Sequence, residues 1–285
     1  MDLPFTVDLT GKTAAITGGG GVLCGVFARA LAACGASVAL LDLKEEAARK
    51  VADDITQQGG TARSYPADVL DEESLSLVRD QIEKDLGRCR ILVNGAGGNH
   101  PRGTTSREYM LPEDLAEKNP ELVTFFDLDP EGIKFVFNLN FVGTLLPSQV
   151  FTRHLAREEN STIINISSMN AILPLTKIPA YSGAKAAVSN FTKWLAVHLS
   201  RMNIRVNAMA PGFFLTEQNR NLLLKKDGSY TERAEKIIQG TPMRRFGEPE
   251  ELVGTLLWLV NHRASGFVNG AVIPVDGGFS AYSGV

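Results

Sequence analysis

The chain has little cysteine, little histidine and no strong excess of either charge. Its three cysteines, Cys24, Cys34 and Cys89, are an odd number without metal-ligand spacing, which argues against a disulfide framework. Cys24 and Cys34 fall in an alanine-rich helical pattern and read as small core residues. His154, His198 and His262 sit in helical patterns with no partner motif, so no metal site is expected. With a net charge of −3, nothing suggests a nucleic-acid surface or an anionic membrane partner. No uninterrupted apolar run is long enough to span a bilayer. The opening MDLPFTVDLTGK lacks the basic and apolar regions of a signal peptide, so the expected location is a reducing cytoplasm. A hydrophobic share of 44% against 21% charged residues is the balance of a globular chain with a sizeable core, and one α/β domain can fill 285 residues.

Strand and helix patterns alternate along most of that length. Apolar or β-branched runs predict strands at 12–17, 37–42, 61–66, 90–94, 162–166, 203–210 and 271–275. Helical patterns cover 22–33, 44–58 and 71–86, then run from 131 through Phe151 to about 158, and recur around Tyr181 and at 249–261. Such alternation means βαβ units. The expected fold is a Rossmann-type, doubly wound, seven-stranded parallel sheet with helices on both faces, a single domain over 1–285. Two irregular stretches, 98–130 and 213–240, break the rhythm and are expected to be insertions on the substrate side.

The densest chemistry lies in STIINISSMNAILPLTKIPAYSGAKAA, residues 161–187. A buried strand ends in two serines, and a proline-containing loop leads into a helix bearing Tyr181 and Lys185. Residues four apart share a helical face, so the lysine ammonium can sit near the phenol and favour the phenolate. A tyrosine titrating near ~10 needs such help to act as an acid or base around neutral pH. Ser168, at the strand end, could bond the same reacting oxygen. By itself Y-x-x-x-K is weak, since a core-edge tyrosine beside a solvated lysine has the same spacing. The turn TGGGGVLCG after the first strand adds weight: glycines let a backbone approach a pyrophosphate, and the helix behind offers free N–H groups. Asp42 ends the second strand, 24 residues beyond Gly18. There it can bind ribose hydroxyls and repel a 2′-phosphate, favouring NAD over NADP, or simply cap the next helix; the two roles are compatible. Lys44 is the nearby charge that could soften that preference.

With these motifs in their order, the chain resembles the short-chain dehydrogenase/reductase family from about residue 9 to 279. The resemblance is carried by Thr17-Gly18, Asp42, Asp68-Val69, Asn94-Gly95-Ala96-Gly97, Asn140-x-x-Gly143, Ser168, Tyr181-x-x-x-Lys185, Pro211-Gly212, Thr216 and the closing VDGG. It implies an NAD-dependent oxidoreductase in which Tyr181 is the acid/base. Lys185 lowers the tyrosine's pKa and binds the nicotinamide ribose, Ser168 orients the substrate oxygen, and Asn140 helps hold a relay water. It also implies cofactor contacts from Gly18, Gly21, Val22 and Leu23 at the first turn, Asp42, and Asp68 and Val69 at the adenine. Asn94 and Gly95 would lie on the ribose side, and Pro211, Gly212 and Thr216 near the carboxamide. Two departures stand out. The second and third glycines of the usual T-G-x-x-x-G-x-G fall at Val22 and Cys24, and the usual N-N-A-G reads N-G-A-G.

A narrower resemblance is to the D-mannonate oxidoreductase (fructuronate reductase) branch. NGAGGNHP, FFDLD, NFVGTLLP, ISSMNA, PLTKIPAYS, PGFFLTEQNR and the tail IPVDGGFSAYSGV carry it. It implies reduction of the C5 ketone of D-fructuronate, and the reverse. A sugar acid needs a cation and several polar partners. The candidates are Asn99, His100, Arg102, Asn170, Lys177, Gln218, Asn219 and Arg220, with Phe213 and Phe214 lining the pocket or packing the loop. Each has a plainer reading: Lys177 and Arg220 as solvated charges, His100 as a loop hydrogen-bonder, Asn170 as a backbone fixer. A 5-keto-gluconate or 3-oxoacyl thioester reductase, and a non-catalytic NAD-binding regulator, stay as alternatives. The intact Ser168, Tyr181 and Lys185 argue against the last. The family resemblance further implies a homotetramer, with the apolar stretch 267–285 either at an interface or docked on its own subunit.

Overall fold

The structure is a computed structural model and describes residues 5–115, 121–216 and 219–284. Seven strands form one parallel sheet: β1 (Thr13–Thr17), β2 (Ser37–Asp42), β3 (Thr61–Pro66), β4 (Cys89–Asn94), β5 (Ser161–Ile166), β6 (Ile204–Pro211) and β7 (Val272–Val275). Their order is β3-β2-β1-β4-β5-β6-β7, so the winding direction reverses between β1 and β4. Open α/β sheets bind ligands at such a switch point, beyond the carboxyl ends of the strands.

Period-two alternation sends each strand's side chains into two cores. On one face Ala14, Ile16, Val38, Leu40, Ile91 and Val93 pack under α1 (Val22–Ala33), α2 (Glu45–Gln57) and the later α9 (Val253–Val260). On the other, Ala15, Ala39, Leu41 and Leu92 meet α3 (Glu72–Leu86), α5 (Gly143–Leu155) and α6 (Pro179–His198). The expected fold class is therefore the observed one. No helix among the described residues is long and apolar enough to cross a membrane.

One expected element is corrected. The helix anticipated from 131 to about 158 is two helices, α4 (Pro130–Phe137) and α5, joined by a wider π-turn at Asn138–Val142. Pro147 lies inside α5, where it has no N–H to continue the backbone ladder. Of the two excursions, the first carries three short 3₁₀ turns among its described residues. The second carries α7 (Arg220–Leu223) and α8 (Glu232–Gly240). A salt bridge between Lys236 on α8 and Glu108, 3.1 Å long, ties the two together. A short α10 (His262–Ser265) precedes β7. At the tail, Phe279 packs edge-on against Phe213 of its own chain while Phe267 is fully exposed, so the terminal stretch docks in part at home.

Candidate active site

A cleft of about 800 Å³ opens over the carboxyl ends of β1, β2, β3 and β4. Gly18, Gly21, Val22 and Leu23 form one wall. Gly18 has φ +67°, a conformation that favours glycine, and lies against the backbone of Ala96. Gly20 allows a different approach: a Cβ there would fall 2.6 Å from the Ala47 methyl and 2.8 Å from the Ala48 nitrogen of α2. Gly21 caps α1 without a side-chain bond, so the helix's first N–H groups have no side-chain acceptor. Asp42 Oδ2 accepts the Gly20 N–H at 3.0 Å and Oδ1 that of Lys44 at 2.9 Å, which fixes the carboxylate at the cleft rim. Asp68 and Val69 line the next stretch. These uncapped N–H groups and the oriented carboxylate suit a dinucleotide, with the pyrophosphate at the α1 end and the adenosine ribose at Asp42.

Two cofactor expectations change. Asn94 does not line the cleft; Gly95, Ala96 and Gly97 do. Its buried amide donates 2.9 Å bonds to Ser148 Oγ and to Asn165 Oδ1, so it serves the sheet. Pro211 is the buried last residue of β6, paired with Val275, and Gly212, Phe213, Phe214 and Thr216 beyond it form the wall. Leu41, Leu43, Phe135 and Leu139 also line the cleft and were not anticipated. Phe135 comes from α4 and Leu139 from the π-turn, a break that nothing in the apolar period signals.

Asn140, Ser168, Tyr181 and Lys185 converge on one side. Lys185 is buried, and its Nζ donates to the Ile166 carbonyl at 2.8 Å. Burial pushes its pKa down to about 8, with the nearby Cys24 thiol acting weakly the other way. Nζ stands 5.6 Å from the Tyr181 ring centroid. Burial raises the Tyr181 phenol's pKa, and a hydrogen bond with Ser168 opposes that rise. The expected depression of the phenol by Lys185 is thus absent here: the ammonium faces a carbonyl and the ring, and desolvation dominates. Ser168 Oγ also accepts the Asn170 N–H at 3.2 Å. Asn140 is fully buried; its amide donates to the Gly98 and Val136 carbonyls at 2.7 and 2.8 Å, and its Oδ1 accepts the Gly98 N–H at 3.1 Å. That carboxamide is committed to Gly98 and to Val136 of α4.

The substrate-side candidates divide. Arg102 is clamped by Asp129, and the exposed Asn99 spends its amide on Thr104 at 2.9 Å. The His100 ring lies tilted against Phe135 of the cleft wall, centroids 5.0 Å apart, and its Nδ1 accepts the Arg102 N–H, which leaves the proton on Nε2. Asn170 is buried with Oδ1 unpartnered. Lys177 is half-buried, and its carbonyl takes the Thr105 N–H at 2.9 Å, joining the active-site loop to the first excursion. Phe214 is the buried phenylalanine, with Gly247 against its ring, while Phe213 is only partly buried. Asn219 is a staple, bonded to Thr216 N and to the Phe214 carbonyl, both at 2.8 Å. Arg220 is exposed at the start of α7, and Gln218 lies outside the described residues. Among the described residues no three His, Cys, Asp or Glu side chains gather as a metal site.

The family pattern described as "Enoyl-(Acyl carrier protein) reductase" matches residues 24–280. An "Uncharacterized oxidoreductase UxuB" of Bacillus subtilis is 52% identical over 283 residues, 99% of this chain and 100% of that protein. A 5-keto-D-gluconate 5-reductase of Escherichia coli is 32% identical over 270 residues, 95% of this chain and 96% of that one. Among solved structures, "a putative D-Mannonate oxidoreductase from Haemophilus influenza" with bound NAD superposes with a TM-score of 0.94 at 56% identity, covering both chains completely. With a parallel seven-stranded sheet, a glycine-lined cleft at its switch point and the Ser168, Tyr181 and Lys185 cluster beside it, the chain belongs to the short-chain dehydrogenase/reductase family.

Proposed function

We propose that the protein is an NAD-dependent oxidoreductase that reduces the ketone of a sugar acid, D-fructuronate to D-mannonate, and runs the reverse reaction. The observation that carries this reading is the complete-length likeness to the NAD-bound Haemophilus protein. Asp42 supports the choice of NAD: its oriented carboxylate would meet a 2′-phosphate with like charge. The bound nicotinamide supplies or accepts the hydride, and the protein's own residues handle the proton.

In reduction, the Tyr181 phenol is protonated at neutral pH and gives its proton to the carbonyl oxygen, which Ser168 helps orient. Lys185 keeps a positive charge behind that oxygen below about pH 8. Asn140 holds the 97–98 loop against the π-turn. Since Arg102 is occupied by Asp129, we assign the substrate carboxylate to Lys177 or Arg220. The His100 Nε2–H and the unpartnered Asn170 Oδ1 are the groups we assign to substrate hydroxyls.

Steady-state NADH oxidation with D-fructuronate, 5-keto-D-gluconate and an acetoacetyl thioester, repeated with NADPH, tests the assignment. Preferred turnover of fructuronate with NADH supports it. Preference for 5-keto-D-gluconate, the substrate named for the Escherichia coli relative, replaces it. Loss of turnover in Tyr181→Phe with NADH binding retained separates an enzyme from a regulatory NAD sensor. We also propose a cytoplasmic homotetramer. Trp194 and Val197 stand exposed on α6, Trp194 stacked between Phe191 and His198, as a face for helix pairing. Sedimentation of a monomer would remove that part.

A further inference from the structure

Cys24 and Gly95 meet in the lining of the cofactor cleft, the thiol filling the space beside the glycine. A Cβ placed on Gly95 would lie 2.2 Å from Cys24 Sγ, far inside contact distance. The thiol itself is buried and reaches the Thr17 carbonyl at 3.6 Å. Thr17 Oγ1 in turn accepts the N–H groups of Gly95 and Ala96 at 3.1 and 3.2 Å. The turn after β1 and the turn after β4 therefore meet at two points. One is backbone on backbone, at Gly18 and Ala96; the other is a side chain seated in a glycine notch.

We propose that Cys24 and Gly95 act as one fitted pair, the thiol setting the spacing of the two glycine turns between which NAD is held. The pair also accounts for a cysteine where a glycine is usual and a glycine where an asparagine is usual, though not for Val22. Either change alone collides or leaves a void; together they close the cleft floor. The thiol suits the place because it is apolar enough to be buried and stays neutral there. The inference rests on the cleft taking NAD and is independent of the substrate.

The test is NADH binding by fluorescence titration, beside thermal unfolding, for the wild type, Cys24→Ala, Gly95→Ala and the double variant. Cys24→Ala empties the notch and is expected to raise Kd two- to fivefold. Gly95→Ala is expected to raise it tenfold or more. The double variant is expected to bind about as well as Cys24→Ala, far from the product of the two losses. A double variant as weak as Gly95→Ala overturns the pairing, and blames instead the Thr17 carbonyl, 2.9 Å from the same Cβ position. Unchanged NADH affinity in a folded but less stable Gly95→Ala also overturns it, since the contact is then structural only. If Gly95→Ala proves insoluble, soluble NADH-binding double variant supports the pairing and an insoluble one defeats it. A wild type that binds no NADH removes the cofactor reading together with this one.

Discussion

Lys185 is a fully desolvated cation, and its removal should stabilise the fold while abolishing the chemistry. Its pKa falls from 10.5 to about 8 on burial. At ~1.4 kcal/mol per unit, that shift corresponds to roughly 3 kcal/mol of penalty on holding the ammonium inside. Lys185→Met keeps the bulk of the side chain and removes the charge, but strands the Ile166 carbonyl that Nζ now satisfies at 2.8 Å. An unpaired buried carbonyl costs about 1–3 kcal/mol. The net expectation below pH 8 is a variant between neutral and about 2 kcal/mol more stable, a rise of up to several degrees in melting temperature.

The pH dependence is the sharper signature. Below about 8 both native and unfolded chains carry the proton, so the wild type bears the whole penalty. Between about 8 and 10.5 the unfolded chain binds more protons than the native one, and stability rises with pH. The wild type should therefore gain on Lys185→Met through that window and overtake or equal it near pH 10.5. Denaturant midpoints at pH 7, 8, 9 and 10, measured side by side, give the difference directly. Parallel pH profiles for the two proteins would refute the reasoning, as would a variant several kcal/mol weaker at every pH.

Asp42→Ala should lower the preference for NADH over NADPH at least tenfold in kcat/KM, because it removes the charge at the rim; an unchanged ratio would move cofactor choice elsewhere. Gly97→Ala should cut turnover tenfold or more, since its Cβ would sit 2.6 Å from Asn140 Oδ1 and 3.0 Å from Lys185 Nζ; a fully active variant would show that neither group is held in place. Gly132→Ala puts a methyl 2.5 Å from Arg102 Cβ and 2.7 Å from its carbonyl carbon. It should lift the first excursion off α4, raising substrate KM severalfold while NADH affinity holds, and equal losses in both would refute a substrate-side role for that segment.

Why some of this could be read from the sequence and some could not is clearest at particular residues. Ala14 and Ile16 against Ala15 display the strand period, and Val38, Leu40 and Leu41 repeat it, so the sheet and its two cores follow from apolar pattern alone. The glycine turn, Asp42 and the Tyr181–Lys185 spacing are local signals, and the fold gathers them at the carboxyl ends of the strands and beside them. The break at Asn138–Val142 is different, because the apolar period runs straight through it. What meets that break is polar, two local bonds leading to others distant in sequence. The Asn140 carbonyl accepts from Thr144, Thr144's carbonyl from Ser148, and Ser148 Oγ from Asn94 on β4. Asn94 donates on to Asn165 of β5, and Asn165 to Thr192 of α6, both at 2.9 Å. These bonds run from the kinked helix through two central strands to the helix bearing Tyr181 and Lys185. Each member is buried, so each bond acts at low dielectric and its loss would leave a desolvated group. In a strand pattern Asn94 and Asn165 look like interruptions of an apolar run; in the fold they connect the π-turn to the helix that carries the candidate acid. The site's geometry thus depends on buried side-chain bonds between distant elements, which no motif spacing displays.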